Sequence, residues 1–103
     1  MAAYVLVNVD TSDPQKYEHY KAMAQETVAQ YGGHYLVRGG KMEVLEGAWQ
    51  PTRLVVLKFD SYEDALKWFH SEEYAPAKAL RQSLSKTDVV LVDGYDESKH
   101  LSR

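Results

Sequence analysis

The sequence predicts an α+β fold, a four-stranded antiparallel sheet in the order β-α-β-β-α-β with its helices on one face. Two patterns and one rule of connection predict it. Four apolar, β-branched segments begin near residues 3, 34, 53 and 88, and segments with helical spacing of apolar residues lie between the first and second and between the third and fourth. The strand before the second helix must run antiparallel to the first if two split βαβ halves are to share one sheet, the arrangement of ferredoxin-like folds.

Each element has its own signal. Residues 3–9 (AYVLVNV) read as a strand, with Asp10 to Ser12 as its polar exit. Asp13-Pro14 then offers a side-chain acceptor at an N-cap and, after it, a residue whose missing N–H is no loss at a first helical position. Tyr17, Tyr20, Ala24, Val28 and Tyr31 recur three and four apart on one stripe, and Gly32-Gly33 ends the helix. Residues 34–38 and 42–46 are β-like on either side of Gly39-Gly40. A two-residue hairpin there would oppose Arg38 and Lys41 and reverse the strand parity, so one long strand bent at the glycines is favoured.

Residues 53–59 (RLVVLKF) form a third, almost wholly apolar strand. Ser61 and Asp64 resemble a capping box, after which Tyr62, Ala65, Leu66 and Phe69 share a stripe that Trp68 lies off. Pro76 demands a break or restart near Ala75, and Tyr74, Ala77, Arg81 and Leu84 then share a face. Residues 88–93 (DVVLVD) make the last strand. One domain over residues 1–94 and a polar tail over 95–103 follow.

The 103 residues, 45% hydrophobic with a formal net charge of −3, suit one compact core and neither disorder nor polyanion binding; nucleic acid is not an expected partner. The absence of cysteine removes disulfides, thiolate catalysis and zinc–cysteine sites. No apolar run approaches the roughly 18–20 residues that span a bilayer, and the N-terminus lacks signal-peptide features, so a cytoplasmic address without membrane association is expected. Three of the strands are nearly continuous apolar runs, as if buried on both faces, whereas the helices can cover only one. A second copy of the chain is the simplest cover, giving a homodimer whose sheets face each other as an α+β barrel.

The segments AYVLVNVDTSDPQKYEHYK, QYGGHYLVRGG, VLEG, PTRLVVLKF, SEEY, AKALR and DVVLVDG together resemble the family known as domain of unknown function 1330, within the dimeric α+β barrel group. The resemblance spans residues 3–94 and implies the same fold and dimer. The wider group includes cofactor-free monooxygenases of aromatic compounds, lactone isomerases, haem enzymes and small-molecule sensors, a breadth that leaves the chemistry open.

The candidate site residues come from the pattern itself. Arg81 shares its helical face with Tyr74, Ala77 and Leu84, where a guanidinium needs a partner: an anionic ligand, an internal carboxylate such as Asp88 or Glu46, or water reached by snorkelling. Strand alternation places Arg38 with His34 and Leu36, and Tyr35 with Val37 on the opposite face. His34 is the candidate acid–base catalyst, because imidazole titrates near neutrality. Asn8, amid valines, needs a hydrogen-bond partner from a neighbouring strand or a ligand, Trp68 is a pocket or interface residue, and Glu46 is the carboxylate singled out by VLEG. Tyr17 and Tyr20 could line an aromatic pocket or simply fill the core.

The histidines at 19, 34, 70 and 100 have no metal-ligand spacing, and nucleotide-binding, hydrolase and thiol-redox motifs are missing, so no metal or cofactor is expected. The expected function is binding of a small anionic or aromatic metabolite between sheet and helices. A cofactor-free enzyme of monooxygenase or isomerase type, a non-catalytic binding module and a purely structural dimerisation domain remain open.

Overall fold

The computed structural model describes residues 1–96. Its elements are β1 (Ala3–Thr11), α1 (Pro14–Gln30), β2 (His34–Arg38), β3 (Leu54–Phe59), α2 (Tyr62–Phe69), α3 (Ala75–Leu84) and β4 (Ser85–Asp93). The sheet order is β2-β3-β1-β4 with every neighbouring pair antiparallel, which is the expected ferredoxin-like arrangement. Residues 97–103 of the expected tail lie outside the described residues.

The caps act as their side-chain chemistry dictates. Asp13 Oδ1 accepts from the Lys16 amide at 3.0 Å and Ser61 Oγ from the Asp64 amide at 3.0 Å, each satisfying a donor that the first helical turn leaves open. Ser71 Oγ accepts from the Tyr74 amide at 3.1 Å, turning the chain between α2 and α3. The restart there is the break that Pro76 requires.

Alternation sets the two faces. Ala3, Val5, Val7 and Val9 of β1, with Val55, Leu57 and Phe59 of β3, are buried under the helices, where Tyr17, Ala24, Val28, Ala65, Trp68, Tyr74 and Ala77 complete the core. The opposite face carries Leu6, Val90 and Val92, all exposed, and Val90 is 57% exposed. Among the described residues no helix is long and apolar enough to cross a membrane.

Three expectations need correction. Residues 34–46 form neither a bent strand nor a hairpin. Pairing ends where Gly39, at φ 69°, turns the chain away, its amide donating a last 2.8 Å bond to the Leu54 carbonyl; residues 42–46 then run unpaired although the outer edge of β2 is open, and β3 begins at Leu54. The resulting loop exposes Met42, Val44, Leu45 and Trp49. The inward stripe of α2 is rotated, so that Ala65 and Trp68 are buried while Tyr62 and Leu66 face out, because the indole N–H finds a buried acceptor in Thr27 Oγ1 at 3.0 Å. And β4 starts directly after α3, pairing Thr11 with Ser85.

Gly33 sits where α1 meets the sheet, and a Cβ there would lie 2.7 Å from the Phe59 ring and 2.8 Å from Val28. Both neighbours are buried and cannot swing away. Gly33→Ala is expected to lower folding stability by about 1–3 kcal/mol, the usual cost of overpacking; a urea midpoint unchanged from wild type would refute this packing.

Candidate functional site

A depression lined by cationic side chains lies on the covered face of the sheet, beside a second, more apolar one under α2. Val7, Val9, Val55, Leu57 and Val89 form the floor of the first, and α1, α2 and α3 with the turn before α3 supply its walls. Tyr17, Tyr20, Tyr35, Trp68, Phe69 and Tyr74 give the walls an aromatic surface, and four cations, Lys21, Arg38, Arg53 and Arg81, enter among them. No carboxylate lines it. The free space is about 490 Å³ counting the open mouth, but the part of it that admits water is only about 30 Å³, room for one or two waters.

Arg81 forms the inner end. One turn and two turns of helical spacing from Ala77 and Tyr74 bring it onto the inward face of α3, where it is 4% exposed. Its Nε donates to the Tyr74 hydroxyl at 3.3 Å, and Tyr74 and Tyr20 hydroxyls are 2.7 Å apart. Arginine cannot accept, so the Tyr74 oxygen accepts the hydrogen bond from the Arg81 N–H and the phenolic hydrogens remain for the tyrosine pair or the cavity. Neither internal carboxylate supplies a partner: Asp88 pairs with Asn8 in the register between β1 and β4 and is exposed, and Glu46 is exposed in the loop. Among the described residues the sole ion pair is Lys21 with Glu18 at 2.9 Å. No fully buried side-chain nitrogen or oxygen among them lacks a partner, so the remaining Arg81 nitrogens reach free space.

The mouth is built by irregular backbone. Tyr35 pairs with Leu57 and Val37 with Val56, so Leu36 is an extra residue, a β-bulge that shifts the alternation by one. Arg38 therefore lies on the same face as Tyr35, its guanidinium 4.3 Å from the Tyr35 ring centroid and its Nη1 donating to Gln25 Oε1 of α1 at 2.8 Å. Arg53 enters just before β3. Asn8 Oδ1 accepts from the Thr52 and Arg53 amides at 2.9 and 3.2 Å, and the Arg53 carbonyl accepts from the Val9 amide at 2.9 Å. The Arg53 guanidinium lies over Gly39, so close that a Cβ there would be 2.6 Å from Nε.

Tyr17, Tyr20 and Tyr35 stay protonated at neutral pH. Burial pushes Tyr17 up to about 12, against the opposing pull of Arg53 and Arg81. Burial, reinforced by Tyr74, pushes Tyr20 up strongly, and burial raises Tyr35. They present hydroxyl donors beside fixed positive charge.

Of the residues expected from the sequence, Arg38, Arg81, Trp68 and Tyr74 meet in this depression. Asn8, Glu46 and His34 do not. Asn8 finds its partner in the chain entering β3, Glu46 is exposed in the loop, and His34 sits opposite Lys58 on the uncovered face, exposed. The face shared by Arg38 and His34 under regular alternation is undone by the bulge. Arg53, Lys21 and Tyr35 were not foreseen. Arg53 was within reach, since counting by two from Phe59 through Leu57 and Val55 arrives at it. Among the described residues no cluster of three His, Asp or Glu side chains is placed to hold a metal.

The model of the family described as a domain of unknown function, DUF1330, matches residues 2–95. No curated protein sequence matches significantly. Solved structures share the fold. A protein of unknown function from Rhodopseudomonas palustris is 14% identical with a TM-score of 0.73, covering 92% of this chain and 83% of its own. A dimeric ferredoxin-like protein of unknown function from Jannaschia sp. is 10% identical with a TM-score of 0.67, over 91% and 100% of the two chains. SnoaB, a cofactor-independent oxygenase from Streptomyces nogalater, is 11% identical with a TM-score of 0.64, over 92% and 94%. Identities this low carry the fold alone.

The raised Tyr17 has a consequence for stability. The unfolded phenol ionises near 10 and the folded one near 12, so between these values the unfolded state holds fewer protons and stability falls as pH rises. The contribution is complete below pH 10 and is lost as pH climbs through 12. Urea unfolding at stepped alkaline pH is expected to show this decline, with a shallower slope in Tyr17→Phe; identical slopes would contradict the burial of this hydroxyl.

Proposed function

Because the chain belongs to the DUF1330 family, a domain of unknown function, we propose its role from the depression itself: it binds a small anionic compound with a planar, aromatic or otherwise apolar body. The carrying observation is that four cationic side chains line one apolar depression without a lining carboxylate. A buried guanidinium without an internal counter-ion is unfavourable in the empty protein and becomes favourable when an anion arrives. Arg81 with the hydroxyls of Tyr74, Tyr20 and Tyr17 would receive a carboxylate, phenolate or enolate oxygen, and the valine and leucine floor would receive the body.

The same donors suit a cofactor-free enzyme. Fixed positive charge and phenolic donors aimed at an oxygen stabilise it as an enolate or phenolate, the electronic state from which such chemistry starts. SnoaB's description as a cofactor-independent oxygenase supports this version at the level of fold. A specific observation favours the alternative of a non-catalytic or purely structural domain: the space in the depression that admits water is only about 30 Å³. Binding must therefore seat most of the ligand near the mouth or part the tyrosines.

We also propose that the protein works as a homodimer. Leu6, Leu36, Val90 and Val92 are exposed on the uncovered side of the sheet and its edge, and related folds from Jannaschia sp. and Thermobifida fusca are described as dimeric. A second copy laid on this face would bury those side chains and close the barrel.

Two experiments check these readings. Arg81→Met is expected to abolish stabilisation by aromatic carboxylates in thermal unfolding while leaving the unliganded protein as stable as wild type or more so, since methionine removes an uncompensated buried charge; a large loss of unliganded stability would assign Arg81 a structural role instead. Val90→Asp, at a position 57% exposed in the protomer, is expected to give a folded monomer in sedimentation equilibrium, and a persistent dimer would place the interface elsewhere.

A further inference from the structure

We infer that the ligand carries two acidic groups, one received by Arg81 and the tyrosines at the inner end and the other by Arg38 and Arg53 at the mouth. The inference rests on the anion-binding reading above and specifies the class of compound.

The depression opens into a vestibule between α1 and the strand edge where the space that admits water is about 410 Å³ against the depression's 30 Å³, and Lys21, Arg38 and Arg53 line both. The vestibule contains one carboxylate, Glu18, which holds Lys21 at 2.9 Å. The two guanidiniums are left facing one opening, and among the described residues neither has a carboxylate within ion-pair distance. Long, exposed arginines normally avoid each other by swinging into water. Here separate backbone features keep them in place: the bulge at Leu36 turns Arg38 onto the covered face, Gln25 holds it at 2.8 Å, Asn8 anchors the chain at Arg53, and the missing Cβ of Gly39 admits the Arg53 guanidinium. Two planar forks at one opening match the two oxygens of a carboxylate.

The inner end is separate. Arg81 lines the depression and not the vestibule, whereas Arg38 and Arg53 line both. The inner cavity is narrow and the vestibule wide, so the inner acid is a small tip and the bulk of the molecule, with its second acid, lies outward. A compound with a single acid would satisfy only one end. A planar dicarboxylate, or a hydroxyaryl carboxylate bound as its phenolate, satisfies both.

The test is calorimetric titration with benzoate, terephthalate and benzamide against wild type, Arg53→Gln and Gly39→Ala. Wild type is expected to bind terephthalate about tenfold or more tightly than benzoate, each tenfold being about 1.4 kcal/mol, and to bind benzamide least. Arg53→Gln should reduce the preference between the acids to about twofold. Gly39→Ala should do the same while keeping every charge, because the new Cβ displaces the guanidinium, with circular dichroism confirming the native fold. Equal affinity of wild type for the two acids would overturn the second acidic group and leave the anion-binding reading standing. Benzamide binding as tightly as benzoate, or binding of neither acid, would overturn both. A preference that survives Arg53→Gln would remove Arg53 from the inference.

Discussion

Burying the Arg81 guanidinium between α3 and the sheet strips it of most of its water, and a single neutral phenol returns only part of that hydration. A protein selected for stability alone would place a methionine or leucine there, as the surrounding valines and aromatic rings do elsewhere in the core. Everything nearby accommodates the charge instead. Tyr74 turns its hydroxyl toward Nε, Tyr20 extends the chain of hydroxyls, and the Trp68 ring packs 4.2 Å from that of Tyr74 while its own N–H is held by Thr27. The aromatic cluster is thus both core and scaffold: the packing that stabilises the fold also fixes the donors.

That dual use explains what the sequence could and could not disclose. The element order, the Asp13 and Ser61 caps and the break before α3 were legible because each depends on chemistry within a few residues of chain. The inward position of Arg81 was legible because helical spacing tied it to Tyr74 and Ala77. The side on which Arg38 emerges was not, because one extra residue in β2 reverses alternation without leaving a mark in composition; a bulge shows itself only when the partner strand is known. The rotation of α2 was hidden for a similar reason. Trp68 turns inward to reach Thr27, a partner 41 residues away, and local hydrophobic spacing cannot anticipate a hydrogen bond made at that distance.

The loop after β2 shows a strand-like sequence without a strand. A strand requires a neighbour, and β3 is already paired on both sides by β2 and β1; the outer edge of β2 is open, but the turn at Gly39 carries residues 42–46 away from it. Met42, Val44, Leu45 and Trp49 are left exposed there. The same turn at Gly39 that releases this loop also seats Arg53, so an arrangement that reorders the loop acts directly on the mouth of the depression.

The titration behaviour of the lining groups limits the chemistry one protomer can perform. Its ionisable members are arginines, a lysine and tyrosines, and the tyrosines whose shifts are resolved are all moved upward by burial. A phenol moved upward in this way is a poor match to the near-neutral base that efficient proton abstraction prefers. His34, the residue whose intrinsic chemistry fits that task, is on the far face of the sheet. A reaction in this depression would consequently act on a compound already acidic enough to arrive as its anion, with arginine and phenol groups stabilising charge rather than creating it. The same restriction favours compounds whose own acid groups, rather than a protein base, supply the electrons for whatever follows.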